Sequence, residues 1–210
     1  GATEVIEPAI ASADLMDPDA SRYDRVSYHF YPKLSERCGS TEGPEIALTQ
    51  EFLSRIDEDK AFFEQLRDTY EPGAPMWITE VAQAACGGDR WAAQYLDVIR
   101  YIDNLGRLAT GDGDVVFHNT LAASDYGLID EDGMEPRPNY WAAVLWQRLM
   151  GPKVLEVGSG GEVDDLAVYA QCTPDDEPGV TYAVVNSSAS EERTVTTSTG
   201  AAEVYLLTSD

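Results

Sequence analysis

A small set of polar residues ends three short apolar segments of the sequence. His29 and Tyr31 close one segment, Glu80 closes a second, and His118 with Asn119 closes a third. A glutamate can act as a nucleophile or as a general acid–base, and the other side chains can position it or bind a substrate. A carboxylate ending an apolar segment is costly to bury unless it is paired or used. A structural role fits the pattern equally well, with Glu80 in a cap or salt bridge and the histidines hydrogen-bonded in the core.

The segments that position these residues alternate with helical patterns. Strands are predicted for short apolar runs bounded by turn residues, over residues 3–10, 26–31, 75–80 and 114–120. Helices are predicted where apolar residues recur three and four apart, over residues 44–70, from an Asp89 cap to a turn at 110–113, and over 139–150. In the last helix we expect four side chains to face inward: Trp141, Val144, Leu145 and Leu149.

Strands that alternate with helices predict an α/β fold with a parallel sheet. The polar residues at the carboxyl ends of the strands then share one edge of that sheet, where α/β enzymes place their reactive groups. Four strands and three helices in residues 1–150 amount to half of a (β/α)8 barrel, which takes about 250 residues. A complete small flavodoxin-like sheet is the competing interpretation.

The texture of the sequence changes after Gly151 and Pro152. Four strand-like runs follow, separated by turns rich in Gly, Pro, Asp and Ser: KVLEV, LAVYAQC, VTYAVVN and the pair TVTT and EVYLL. No helical pattern fits this part. We therefore predict a domain boundary near residue 151, with a barrel domain over 1–150 and a small all-β domain over 151–210.

The net charge of the chain limits the classes of partner that it is expected to bind. Thirty-eight acidic residues against 14 Lys and Arg give a formal net charge of −24. Such a chain repels phosphate backbones and anionic membrane surfaces, so nucleic-acid and membrane binding are not expected. Lysine is rare among the basic residues, which fits either a salt-adapted protein or an acidic secreted one.

The three cysteines do not predict a metal site. Cys38, Cys86 and Cys172 have no CxxC spacing, and the acidic run at 130–133 lacks the ligand spacing of a calcium loop. We predict neither a metal nor a cofactor. Cys38 and Cys86 fall in strand-to-helix loops on the same predicted face and could pair, as a secreted protein would allow, while free thiols are the default.

Five short motifs follow one another along residues 26–157. They are VSYHFYP (26–32), WITE (77–80), DYGLID (125–130), PRPNYW (136–141) and MGPKVLEV (150–157). WITE is similar to the seventh strand of clan A retaining glycosidases, a short apolar strand that ends in the nucleophilic glutamate. The ordered series resembles glycoside hydrolase family 79, the heparanase and β-glucuronidase family. The family has Asp where this chain has Asn139.

The resemblance implies a retaining glycoside hydrolase that is β-glucuronidase-like and acts on glycans containing uronic acid. Glu80 would be the nucleophile that forms the glycosyl-enzyme intermediate. His29 and Tyr31 lie two residues apart on one strand face, where they can hold or hydrogen-bond Glu80. Asn119, at the end of the next strand, would bind substrate. The fold implied is strands five to eight of the barrel, followed by the start of a β-sandwich.

The resemblance also implies a carboxylate-binding cradle. The backbone N–H groups of Gly87 and Gly88 and the hydroxyl of Tyr126 would bind the uronate carboxylate, and glycine permits this close approach. The glycine pair lies one residue further from Glu80 than in the family's pattern. The structural alternatives are a plain loop at the glycines and a Tyr126 side chain that only packs.

The second carboxylic acid of a retaining hydrolase is missing from the chain. In this clan it is the Glu of an Asn-Glu motif that ends strand four, and no Asn-Glu pair occurs here. Glu7 lies one strand before the His29 strand, which matches strand five instead. We therefore expect the acid/base and strands one to four on an upstream segment, and an isolated 210-residue chain that is inactive.

Two further expectations concern the substrate and the class of protein. The strong negative charge opposes a long sulfated polyanion, which favours exo action or a small glycan over true heparanase activity. A non-catalytic carbohydrate-binding or scaffold module is the alternative, with Glu80 present but unused. Family habit and composition favour a secreted protein.

Overall fold

A computed structural model describes residues 12–16, 23–110, 115–157, 164–174, 178–197 and 202–209. The predicted strand over 3–10, with Glu7, and most of the turn over 110–113 lie outside these residues. In chain order the elements are α1 (Ser12–Leu15), β1 (Val26–Phe30), α2 (Gln50–Leu53), α3 (Arg55–Tyr70), β2 (Met76–Val81), α4 (Leu96–Ala109), β3 (Val115–His118), α5 (Pro138–Leu149), β4 (Val154–Leu155), β5 (Leu166–Cys172) and β6 (Val180–Asn186).

A parallel three-stranded sheet of order β1-β2-β3 forms the first half of the fold. One face of the sheet packs against the helices, and buried residues alternate with exposed ones along β1. Val26, Tyr28 and Phe30 of β1 are buried in a cluster with Ile78 of β2 and Ile56 of α3. The predicted strands over 26–31, 75–80 and 114–120 and their parallel pairing are confirmed.

The predicted helix over 44–70 is broken into three pieces. A 3₁₀ turn spans Pro44–Ile46, and α2 and α3 follow it. The side chain of Thr49 accepts a hydrogen bond from the backbone N–H of Phe52, so a new helix begins there and cannot continue the turn before it. Phe52 and Ile56 are buried on the common apolar face that the periodicity predicted.

The second predicted helix begins later than expected. A 3₁₀ turn, Arg90–Ala93, carries the buried Trp91, and α4 starts at Leu96. Asp89 precedes the turn, but its carboxylate does not cap it. That prediction is corrected, since the carboxylate is bound elsewhere, as described below. The third predicted helix is confirmed as α5, although Trp141 is 50% exposed and does not face inward as expected.

A buried ion pair within α4 is hydrogen-bonded to α5. Arg100 donates two hydrogen bonds to Asp97, at 2.6 and 2.8 Å, and both side chains are almost fully buried. Asn139 of α5 donates to the same carboxylate at 2.8 Å. An aspartate at position 139 would face Asp97 with like charge, so the asparagine that departs from the family's motif fits this contact.

An antiparallel sheet of order β4-β5-β6 forms the second half. It packs on α4, where the Tyr169 ring lies in the space that a side chain at Gly106 would fill. The Tyr169 hydroxyl donates to Asp103 at 2.6 Å. Three of the predicted β runs are strands, whereas the described parts of the fourth, within 193–197 and 202–209, contain none. The boundary near residue 151 stays a prediction.

Two further observations concern the described ranges alone. Within them, no helix is long and apolar enough to cross a membrane. The same residues contain no group of three or more His, Cys, Asp or Glu side chains arranged to hold a metal ion.

Candidate active site

The register of the parallel sheet brings the predicted site residues to one edge. β1 and β2 pair Tyr28 with Ile78 and then skip one residue, so that His29 lies opposite Glu80. Asn119 follows β3 directly, and its backbone N–H donates to the carbonyl of Val81 at 3.0 Å. The carboxyl ends of all three strands therefore meet, as parallel pairing requires.

The side chains at this edge form a continuous chain of hydrogen bonds around Glu80. The Tyr31 hydroxyl donates to Glu80 Oε2 at 2.6 Å and accepts from Asn119 Nδ2 at 2.7 Å. The amide of Asn119 also lies 3.4 Å from the Tyr126 hydroxyl. His29 Nδ1 lies 3.4 Å from the same oxygen of Glu80. The Glu80 side chain is 40% exposed, and no described residue hydrogen-bonds to its Oε1.

Tyr31 is held in its neutral, donating form. Burial of the ring and the hydrogen bond to Glu80 raise the pKa of Tyr31 well above the usual value of 10. The hydroxyl therefore keeps its proton at neutral pH and can stabilise a negative charge on Glu80. Because only Oε2 is engaged, the carboxylate is oriented and retains one oxygen for another partner.

The two histidines have different environments, although both end strands. His29 is 54% exposed at the edge beside Glu80. His118 points to the other face of the sheet, where its ring meets Tyr101 of α4 with centroids 5.1 Å apart. Burial lowers the pKa of His118 to about 4, and its Nε2 lies 2.8 Å from the carbonyl of Tyr126. His118 is therefore a structural histidine that supports the Tyr126 loop.

The glycine pair belongs to the glycine loop, residues 86–88, in which every residue has a positive φ angle. Cys86, Gly87 and Gly88 have φ angles of 64°, 84° and 75°. A Cβ on Gly88 would lie 2.8 Å from Cδ1 of Tyr126, so glycine lets the tyrosine ring approach the backbone. No described residue accepts a hydrogen bond from the N–H of Gly87 or Gly88. Successive backbone N–H groups in turn conformations of this kind are donors suited to an anion.

A disulfide between Cys38 and Cys86 joins the loop after β1 to the loop after β2. The sequence left a disulfide and free thiols as alternatives for Cys38 and Cys86. The disulfide is observed, and the expected default of free thiols is wrong for these two cysteines. Cys172 is the free cysteine. The bridge ends one residue before Gly87, so it anchors the glycine loop.

A buried ion pair that sequence reasoning missed supports the same loop. Lys33 Nζ lies 2.8 Å from Asp89 Oδ2, and both side chains are almost fully buried. The carboxylate also accepts from the Glu36 backbone N–H at 2.8 Å and from the Gln83 amide at 3.1 Å. Hydrogen bonds and Lys33 hold the pKa of Asp89 below its usual value despite burial. The sequence signal for this ion pair was Lys33, one of three lysines in the chain, which lies three residues after the end of β1.

Arg137 organises the loop that carries Tyr126. Its guanidinium donates to the carbonyls of Ser124 and Asp125 at 2.7 and 2.9 Å and to the carboxylate of Asp130 at 2.9 Å. Hydrogen bonds from Arg137 therefore hold the motif at 136–141 to the motif at 125–130. Tyr126 is buried, as the packing alternative expected, and its hydroxyl nevertheless reaches the Asn119 amide at the edge.

Comparison with known proteins places the chain among glycoside hydrolases. It is 32% identical over 181 residues to heparanase-like protein 1 of Arabidopsis thaliana, covering 84% of this chain and 32% of that protein. It is 32% identical over 146 residues to baicalin-β-D-glucuronidase of Scutellaria baicalensis, covering 68% and 27%. It is 30% identical over 141 residues to human inactive heparanase-2, covering 60% and 23%. No protein-family model matches.

A solved structure shares the fold. A 4-O-α-L-rhamnosyl-β-D-glucuronidase from Fusarium oxysporum superposes with a TM-score of 0.51 at 17% identity, covering 80% of this chain and 35% of that one. The predicted α/β class is confirmed at this level, as a mixed α/β fold shared with a glycoside hydrolase. The half-barrel and the sandwich stay predictions.

These findings confirm the resemblance that the motifs indicated. The chain is related to the glycoside hydrolases, and its curated relatives are heparanases, heparanase-like proteins and glucuronidases, the members of family 79. The chain spans about a third of the length of the curated relatives it matches first, 32% in each case.

Proposed function

We propose that this chain carries the nucleophile half of a retaining glycoside hydrolase that is β-glucuronidase-like. The observation that carries the proposal is the environment of Glu80. Its carboxylate is partly exposed at the carboxyl edge of a parallel sheet, accepts one hydrogen bond from Tyr31, and keeps the other oxygen open. A nucleophile needs this combination of fixed orientation and access.

The reaction would proceed in two displacements at the anomeric carbon. Glu80 attacks that carbon, the glycosidic C–O bond breaks, and the leaving oxygen takes a proton from a second carboxylic acid. Water then attacks the glycosyl-enzyme, and the same second group, now a carboxylate, removes a proton from this water. The hydroxyl of Tyr31 stabilises the carboxylate of Glu80 that is released in this step.

The second carboxylic acid would lie about 5–5.5 Å from Glu80 and would come from an upstream segment. The outer edges of β1 and β3 have no partner strand among the described residues, and Val115 and Phe117 of β3 are about half exposed. The predicted strand over 3–10 would cover the edge of β1, and the upstream strands would reach the edge of β3 and close the barrel. We therefore expect the isolated 210-residue chain to lack uronidase activity.

The substrate would be a uronic-acid-containing glycan. The N–H groups of Gly87 and Gly88 are unpaired among the described residues, and the Tyr126 ring packs against Gly88. Neutral donors of this kind can bind a carboxylate in a protein whose net charge is −24. The same charge opposes a long sulfated chain, which favours exo action or a small glycan.

Covalent labelling of the full-length protein that carries this chain tests the proposal. The protein is treated with a glucuronic-acid-configured cyclophellitol inactivator, digested, and analysed by mass spectrometry. Label on Glu80, together with turnover of an aryl β-glucuronide, is expected. Glu80→Gln should abolish the label and lower kcat by roughly 10³-fold or more.

Glu64→Gln is a matched control, because Glu64 is a glutamate of α3 that makes none of the hydrogen bonds of the cluster around Glu80. It should change neither label nor turnover. Turnover with label on another residue would contradict the assignment of Glu80.

A non-catalytic carbohydrate-binding module is the second candidate, and the similarity to an inactive heparanase favours keeping it. It predicts glycan binding that Glu80→Gln leaves unchanged, with no turnover and no label in the unmodified protein.

A further inference from the structure

Two side chains of the segment Ser35–Arg37 donate hydrogen bonds to backbone carbonyls of the glycine loop. Ser35 Oγ donates to the carbonyl of Cys86 at 3.0 Å. Arg37 donates to the carbonyl of Gly87 at 3.1 Å and also to that of Gly88. The side chains of this segment thus act on the peptide groups of the loop.

These contacts fix the direction of the unpaired N–H groups. In a planar trans peptide the N–H points opposite to the C=O. The carbonyl of Cys86 shares its peptide with the N–H of Gly87, and the carbonyl of Gly87 shares its peptide with the N–H of Gly88. Ser35 therefore orients the first N–H and Arg37 the second. Hydrogen bonding to a carbonyl also polarises its peptide group and strengthens its N–H as a donor.

A salt bridge links the same arginine to the tyrosine loop. Arg37 lies 2.6 Å from the carboxylate of Asp125, and the backbone N–H of Asp125 donates to the carbonyl of Gly87 at 3.0 Å. Tyr126 is the next residue. One guanidinium therefore connects the two loops that present the proposed donors, and its planar fork suits several acceptors at once.

We propose that Arg37, held by Asp125, is a positioning residue for uronate recognition: it orients and polarises the Gly88 N–H toward a sugar carboxylate and sets the preference for uronic over neutral sugars. This inference rests on the proposed function. Arg37 itself does not touch the sugar; it acts through the peptide group. The guanidinium also brings a positive charge beside the cradle of a strongly acidic chain.

The test compares two inactivators on the full-length protein that carries this chain. One is the glucuronic-acid-configured cyclophellitol, and the other is its neutral glucose-configured counterpart. The inactivation efficiency, kinact/KI, is measured for each, and their ratio reports carboxylate recognition separately from the reaction at Glu80.

Arg37→Gln should lower the efficiency for the uronic compound by roughly 10-fold, the size expected for weakening a hydrogen bond to a charged group, and leave the neutral compound within about twofold. Arg37→Lys keeps the charge but lacks the fork, so it should recover only part of the loss. Asp125→Asn should lower the ratio by about threefold through the weakened salt bridge.

Arg90→Gln is the matched control. Arg90 is exposed, follows the glycine pair by two residues, and forms no ion pair with any described residue. Its ratio should equal that of the unmodified protein. Thermal unfolding checks each variant, and Asp125→Asn gives the answer if Arg37→Gln does not fold.

Three results would overturn the inference. The first is an equal loss of kinact/KI for both inactivators, and the second is unchanged labelling in Arg37→Gln and Asp125→Asn. The third is an equal fall of the ratio in Arg90→Gln, because the effect would then come from the loss of any one positive charge. Absence of labelling by either compound in the unmodified protein would instead overturn the proposed function, and the inference with it.

Discussion

Two regions of the molecule hold charged groups in opposite ways. The α4 network, consisting of Asp97, Arg100 and Asn139, is buried, with Arg100 at 2% and Asp97 at 0% exposure. The strand-edge cluster around Glu80 is half open, with the side chains of His29 and Glu80 at 54% and 40%. In the first region both oxygens of the carboxylate have partners, whereas in the second one oxygen has none among the described residues.

The difference distinguishes charged groups that stabilise the fold from charged groups that can still bind a ligand or react. When one partner of a buried ion pair is removed, the other charge stays buried without a partner, and the protein loses stability. A carboxylate that is oriented yet incompletely bonded retains capacity for a ligand or for chemistry. Substitutions in the α4 network should therefore change folding, and those at the strand edge should change reactivity.

Asp97→Ala should produce the largest change in stability. It leaves the buried Arg100 guanidinium without its carboxylate partner and removes the hydrogen-bond acceptor of Asn139. The free energy of unfolding should fall by about 3–5 kcal/mol. Urea unfolding of the full-length protein measures the loss. Glu191→Ala is the control, since the Glu191 side chain is 66% exposed and lies 4.0 Å from Arg193, and it should cost about 1 kcal/mol at most. A loss no larger than the control would show that the network is not the structural element described here.

The paired substitution of Cys38 and Cys86 by serine should cost about 2–4 kcal/mol, because the bridge closes a loop over a sequence separation of 48. Urea unfolding under oxidising conditions measures it, and Cys172→Ser should have little effect. Unchanged stability in the double variant would mean that the bridge does not contribute. Carboxylate recognition should also weaken, since the bridge anchors the glycine loop.

Acid should destabilise the protein through His118. Its folded pKa of about 4 lies below the usual 6.5 because burial disfavours the charged ring. The contribution is present above pH 6.5 and is lost progressively as the pH falls from 6.5 to 4, and about 2 kcal/mol of it is lost between pH 7 and pH 5. His118→Gln should flatten this part of the stability profile measured by urea unfolding. An identical slope in the variant would contradict the assignment.

Tyr31→Phe should have the smallest effect on folding and a visible one on turnover. It removes the hydrogen bond to Glu80 at a partly exposed position, so kcat/KM should fall roughly 10-fold with stability nearly unchanged. Tyr140→Phe in α5 is a control that should leave turnover unchanged. A loss of stability without a loss of turnover would place Tyr31 with the structural residues and erase the contrast between the two regions.

Local patterns predicted most of the elements. Each predicted strand between residues 26 and 120 is present, because short apolar runs bounded by turn residues pair in a buried sheet. The pattern did not predict the helix break at Thr49, where one side chain caps a new helix. It also treated His29 and His118 alike. Strand ends carry side chains on both faces, and periodicity does not say which face meets the helices.

The sequence by itself determined the alternation of strands and helices, the edge at which Glu80, Tyr31 and Asn119 would meet, and the resemblance to family 79. These follow from local periodicity and from motif order. Only the tertiary structure decided that Cys38 pairs with Cys86 and that Arg37 holds the glycine loop. The physical reason is that such contacts join residues about 50 positions apart. Their existence depends on how loops from neighbouring strands approach in space, which no local pattern encodes.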